Sequence, residues 1–160
     1  MIYRIRQFFK GLTACRTDCE VIYKYLNDKE IDLFNKLPPH EKRHAVDTAY
    51  TVMKIYSGED EDILIKSALL HDIGKIEGKT GIMKKSILVL MDKFAHRLSV
   101  KLSHRIKMFD IYYNHPEAGA ELLEKIRTDE KAILLVRYHH AENYADEYTM
   151  DILKKADSMN

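Results

Sequence analysis

Apolar residues recur along the chain at spacings of three and four, which sets them on one side of a helix. No stretch alternates apolar and polar as a half-buried strand does, and no internal repeat or low-complexity segment breaks the pattern. An all-α fold is expected. Ile2, Ile5, Phe8, Phe9 and Leu12 fall on one side of a first helix, with Arg4, Arg6 and Lys10 on the other. Thr17 with Glu20, and Asn27 with Glu30, resemble capping boxes that begin helices from Asp18 to Leu26 and from Asp28 to Leu37. Pro38 and Pro39 then break the chain, and Pro39 suits the first turn of a helix from His40 to Tyr56. Ala45, Val46, Ala49, Val52, Met53 and Tyr56 make its buried face.

The next helix carries Ile63, Leu64, Ala68, Leu69 and Leu70 inward. It ends on His71 and Asp72 and is stopped by Gly74. The acidic run Glu59 to Asp62 suits the positive end of that helix. Ile76 to Gly81 reads as a loop, and Met83 to Phe94 and Ala95 to Tyr113 as helices. Asn114, His115 and Pro116 are expected to break the chain and open another helix, with Pro116 at its first position and His115 at its cap. Thr128 is expected to cap a helix whose run AILLVRY ends on His139 and His140. A last helix, Met150 to Met159, turns Ile152, Leu153 and Ala156 inward with Asp157 beside them.

Length adds a bound: 160 residues suffice for one domain with a sizeable core. A net charge of +1 predicts neither stable nucleic-acid binding nor a membrane partner. Local charge is more informative. Lys93, Arg97, Lys101 and Arg105 recur every four residues as a basic stripe, and Asp92 is the one acid between Lys79 and Lys107. Arg97 and Lys101 are therefore candidates for drawing in a phosphorylated ligand. Cys15 and Cys19 have no second pair to complete a zinc site and read as thiols of a reducing compartment. Met1 to Leu12 is too short and too basic for a signal peptide, and no apolar run reaches membrane-spanning length, so a cytoplasmic protein is expected.

The chemistry-bearing residues form an ordered set: His44, His71 with Asp72, His115, His139 with His140, and Asp157. Each lies at or beside the inner end of an apolar helix, and five of the eight histidines fall in the set. Separate core histidines would each need a hydrogen-bond partner, whereas one cluster of cations would satisfy all of them. Imidazole nitrogens with carboxylate oxygens suit iron, manganese, nickel or zinc better than magnesium alone.

With these residues the sequence resembles the HD-domain metal-dependent phosphohydrolase superfamily, and within it the HDIG-containing branch. The resemblance rests on HAVDTAY with His44, LLHDIGK with His71, Asp72 and Lys75, NHPEAGAELL with His115, YHHAE with His139 and His140, and LKKAD with Asp157. It implies a helical HD bundle over 38–160, with 1–37 an N-terminal helical extension packed on it. It also implies two divalent ions, one held by His44, His71, Asp72 and Asp157, the other by His115, His139 and His140, with Asp72 bridging. His40, one turn before His44, stands where some relatives with a third metal carry a glutamate, and is expected to be exposed. The implied activity is hydrolysis of a nucleotide or other phosphate ester, as phosphomonoesterase or phosphodiesterase. Asp72 and Lys75 are the catalytic candidates, Lys75 by neutralising a phosphate oxygen.

The chain departs from the branch that cleaves cyclic di-GMP. Ala141 precedes Glu142, and Asn143 to Tyr148 holds no glycine or proline where that branch has a Gly-Tyr-Pro loop. Tyr112, Tyr113, Tyr138 and Tyr144 are available to stack on a base. Two other readings are a di-iron oxygenase, as in myo-inositol oxygenase among HD relatives, and a catalytically silent module stapled by metal.

Overall fold

The computed structural model describes residues 19–77, 107–141 and 147–160. Among these there is no strand. Seven α-helices and one 3-10 turn follow in order: α1 Cys19–Tyr25, α2 Asp28–Phe34, α3 Pro39–Ile55, α4 Glu61–Leu70, the 3-10 turn Ile73–Glu77, α5 Lys107–Lys125, α6 Glu130–Tyr138 and α7 Glu147–Ser158. The all-α expectation is met.

Local chemistry explains most of the boundaries. Asn27 accepts from the Glu30 backbone N–H at 3.1 Å while the Glu30 carboxylate accepts from the Asn27 N–H at 2.9 Å, a complete capping box for α2. Pro39 stands at the first position of α3, where a missing N–H costs nothing. Arg127, the one non-glycine residue with positive φ among those described, ends α5. It lets the Thr128 N–H reach back to the Leu123 carbonyl at 3.1 Å.

Three boundaries differ from the sequence reading. The first is α5, which runs unbroken from Lys107 to Lys125 with Pro116 inside it and His115 in mid-helix rather than at a cap. Proline removes one helical hydrogen bond. Yet Pro116 is buried, and the helix around it packs on the 3-10 turn and on α6, so tertiary contact keeps both halves in line. The second is the start of α6, where the cap is Asp129, not Thr128. The Asp129 carboxylate accepts from the N–H groups of Lys131 and Ala132, whereas Thr128 is buried with its hydroxyl making no hydrogen bond. Third, the segment after Gly74 continues as a 3-10 turn to Glu77 rather than opening into a loop at Ile76.

The core lies between α3, α4, α6 and α7, with Val46, Leu64, Leu69, Leu135, Val136 and Leu153 almost wholly buried. Val21, Ile22 and Leu26 of α1 and its exit, and Leu33, Phe34 and Leu37 from α2 onward, belong to the same apolar cluster. Helices α3 and α4 pack on each other, α7 lies against both, and α5 packs on the 3-10 turn and α6. Among the described residues no helix is long and apolar enough to cross a membrane. The basic stripe with Arg97 and Lys101, the first twelve residues and Cys15 lie outside the described residues.

Candidate metal centre

Helix ends deliver the cluster. The last carbonyls of an α-helix lack intrahelical partners, and two histidines use them. His71, just past α4, has Nδ1 at 2.8 Å from the Ala68 carbonyl, and His139, just past α6, has Nδ1 at 2.6 Å from the Val136 carbonyl. A carbonyl can only accept, so Nδ1 carries a hydrogen in both rings and Nε2 is turned inward. Both Nε2 atoms are buried and make no hydrogen bond. This is the arrangement in which a backbone carbonyl orients a metal-ligating imidazole.

Helices α3, α5 and α7 bring the rest. His44, from the second turn of α3, has Nε2 at 2.8 Å from Asp157 Oδ1 and 3.9 Å from Asp72 Oδ2. His71 Nε2 lies 3.4 Å from Asp72 Oδ2 and 3.5 Å from Asp157 Oδ1. On the other side, His115 Nε2 lies 3.3 Å from Asp72 Oδ1. Asp72 therefore turns one oxygen to each of two groups. His44, His71 and Asp72 offer ligand atoms within 4.8 Å of one another, as do His115, His139 and His140. Ring contacts join the groups: His44 to His71 at 5.2 Å, His71 to His139 at 5.3 Å, and His115 to His139 and His140 at 5.3 and 5.1 Å. All seven residues singled out in the sequence meet at one place.

A close approach of backbones makes this possible. A Cβ built on Gly74 would stand 2.0 Å from the His115 carbonyl oxygen and 2.7 Å from the Gly119 nitrogen. Only glycine lets the turn after Asp72 lie directly on α5, so Gly74 is needed for space and not for an unusual φ. The end of α7 is also held. The Asn160 side-chain amide donates to Thr51 Oγ1 at 2.7 Å and to the Ala156 carbonyl at 2.8 Å, tying the turn that carries Asp157 to α3.

The electrostatics follow from packing bases and carboxylates together in a dry place. Burial disfavours charge on His71, but the carboxylates of Asp72 and Asp157 outweigh it and raise its pKa to about 9. Burial likewise works against the charge of Asp72, and Lys75 and His71 overcome it to hold that carboxyl well below its usual range. Asp157 is lowered too, with the hydrogen bond from His44 and the charge of the nearby His71 imidazole prevailing over burial. His139 goes the other way, lowered by burial and by the neighbouring imidazoles, and His140 falls to about 4 for the same reasons. These two are neutral bases at pH 7, the form in which imidazole ligates metal.

Lys75 is enclosed: its side chain is 15% exposed and its ammonium lies 2.5 Å from Asp72 Oδ2. His40 is half-buried rather than exposed, with Nε2 3.3 Å from Glu41 Oε1. Sequence reasoning passed over Glu41, a buried carboxylate 3.7 Å from Lys75 Nζ. Its signal was the three-residue spacing to His44, which puts both on one face of α3, but an acid just after Pro39 reads equally well as a helix-start residue. Among the tyrosines proposed for stacking, Tyr138 is exposed; the side chains of Tyr112 and Tyr113, and all of Tyr144, lie outside what is described.

The donors fit a metal centre. Two buried Nε2 atoms lack hydrogen bonds, every imidazole meets another imidazole or a carboxylate, and one carboxylate is shared between two donor sets. A family model described as HD domain matches residues 42–158 of the chain. No curated protein and no solved structure matches it.

Proposed function

The chain belongs to the HD-domain family, and from that footing we propose that it is a metal-dependent phosphohydrolase of the HDIG branch, acting as phosphomonoesterase or phosphodiesterase on a nucleotide or other phosphate ester. The observation that carries the reading is the position of Asp72, whose two oxygens face the His44–His71 group and His115 respectively. His44, His71, Asp72 and Asp157 would hold one divalent ion, and His115, His139 and His140 a second, with Asp72 between them. Such ions supply Lewis acidity towards phosphate and a water acidic enough to attack it at neutral pH.

The protein's own groups do the remainder. Backbone carbonyls hold His71 and His139 in the ligating orientation, so little reorganisation accompanies binding. The Lys75 ammonium, raised in pKa because Asp72 and Glu41 outweigh its burial, stays charged and would neutralise a non-bridging phosphate oxygen. Arg97 and Lys101 would draw in the anion from the basic stripe. The substrate we propose is not cyclic di-GMP, because the segment after His140 has neither glycine nor proline before Tyr148. We assign 38–160 to the catalytic unit of a cytoplasmic enzyme and 1–37 to an extension on it. The apolar residues that α1 and α2 add to the common core support that division.

The test is elemental analysis of protein purified without added metal, a spectrum in air and after reduction, and a panel of phosphate esters. About two manganese, nickel, zinc or redox-silent iron ions per chain with phosphate release is the expected outcome. Two irons with a redox-sensitive spectrum and oxygen consumption would make it an oxygenase instead. Metal well below one per chain, unrecovered on reconstitution, would overturn the reading.

A further inference from the structure

The two adjacent histidines after α6 are fixed unequally. His139 Nδ1 is held by the Val136 carbonyl. Among the described residues no hydrogen bond orients the His140 ring, which is exposed and meets the rings of His139 and His115 at 4.1 and 5.1 Å. A ligand without a hydrogen bond of its own takes its position from the backbone that carries it. That backbone is the turn from His139 to Ala141, and both polar groups of Ala141 are used. Its N–H donates to the Tyr138 carbonyl at 2.8 Å, closing the turn directly after α6, and its carbonyl accepts from the ammonium of Lys154 on α7.

Lys154 lies in the LKKAD stretch three residues before Asp157, so the two belong to one side of α7. Asp157 reaches the first donor set, with Oδ1 2.8 Å from His44 Nε2, while Lys154 reaches the chain beside the second. Helix α7 thus touches both. The helix is itself anchored, since Asn160 ties its end to Thr51 of α3. Among the described residues no carboxylate lies within ion-pairing distance of Lys154, so its described partner is main chain. An ammonium on a carbonyl just past the end of α6 also suits the negative pole of that helix. Lys154 is half-buried and the neighbouring Lys155 is exposed, so position and not charge sets Lys154 apart.

We propose that Lys154 is a positioning residue: its bond to the Ala141 carbonyl sets His140, and with it the second donor set, in register with Asp157 on the first. The inference rests on the metal-centre reading above and deepens it. The expected effect is opposite in sign to that of charge alone. A cation repels a nearby dication, so removing Lys154 would tighten metal binding if charge were its whole effect, whereas freeing the turn that carries His140 weakens it.

The experiment is calorimetric titration of Mn2+ into full-length wild type, Lys154→Met, Lys154→Arg and Lys155→Met. Thermal melts establish that each is folded, and Lys154→Gln is read in the same way should Lys154→Met not fold. His115→Ala, which should mainly empty the second set, identifies the binding step that belongs to it. In Lys154→Met that step weakens by about tenfold or more, the range for a partner that orients a metal ligand, while the other changes by less than about twofold. Lys154→Arg, which can donate to the same carbonyl, restores part of the loss. Lys155→Met makes the same change of charge on an exposed side chain and leaves both steps as they are. Unchanged or tighter binding at the second set in Lys154→Met would overturn the proposal, since Lys154 would then act by charge or not at all. So would equal weakening of both steps, which would mean a general loosening of α7, or the same weakening in Lys155→Met. Wild-type protein that binds no Mn2+ would overturn this proposal and the metal-centre reading together, whereas two binding steps indifferent to Lys154→Met would overturn this one alone.

Discussion

Replacing Gly74 by alanine isolates the contact on which the centre is built. The added methyl would stand 2.0 Å from the His115 carbonyl oxygen, and contacts below 3.0 Å are not tolerated, so the two must separate by at least 1.0 Å. The opposing atoms are backbone on both sides: a residue of the 3-10 turn against the middle of α5. No rotamer can absorb the overlap. Overpacking a core costs about 1–3 kcal/mol when side chains give way, and a backbone clash belongs at or above the top of that range, about 3 kcal/mol. For a domain of this size that is a fall in melting temperature of roughly 6–12 °C. The separation also has a direction. Gly74 follows Asp72 by two residues and the clashing oxygen belongs to His115, so the shift pulls His115 from the Asp72 oxygen it faces at 3.3 Å. Metal affinity should fall most for the set containing His115. Gly119→Ala is the control. Its nearest neighbours lie at 3.1–3.3 Å, two of them side-chain methyl groups, and a helical Gly→Ala gains up to about 1 kcal/mol in propensity, so its net effect should be near zero. Thermal denaturation with and without Mn2+ reads both quantities. A Gly74→Ala melting temperature within about 2 °C of wild type, with metal binding intact, would refute the reasoning.

Other expectations are independent of that contact. Asp72→Ala should remove both metals, whereas His115→Ala should mainly empty the second set; equal loss of both metals in the two variants by elemental analysis would count against the division of ligands. The raised pKa of His71 stabilises the metal-free protein below its unfolded value of 6.5, and that contribution is lost as pH rises through about 9. Metal-free protein should therefore lose on the order of 3 kcal/mol between pH 6 and 10 in denaturant titrations. The same proton must leave when metal binds, so metal affinity should rise with pH towards 9 and then level, with proton release measurable by calorimetry in two buffers. Asp129→Ala should cost about 1 kcal/mol by uncapping α6, with metal affinity little changed, because the cap lies at the end of α6 opposite His139.

The sequence by itself determined whatever depends on a few neighbouring residues. The Asn27–Glu30 box, Pro39 at a helix start and the apolar run ending on His71 are local events, settled by hydrogen bonds and side-chain spacings within one or two turns. The ordered set of histidines and aspartates was legible for a related reason: buried bases at several helix ends demand a common partner. Local rules failed where two outcomes look alike in one dimension. Pro116 can open a helix or interrupt one, and packing of α5 on the 3-10 turn and α6 chose the second. Thr128 and Asp129 both can cap, and burial of Thr128 left the task to Asp129. Only the tertiary structure decided that Asp72 faces both donor sets, that Lys75 lies on Asp72 and not in water, that Glu41 is buried beside it, and that Asn160 pins the turn bearing Asp157 to α3. Those facts depend on the distances between helices far apart in the chain. Such distances are set by how side chains and the bare backbone at Gly74 and Gly119 fill the space between them.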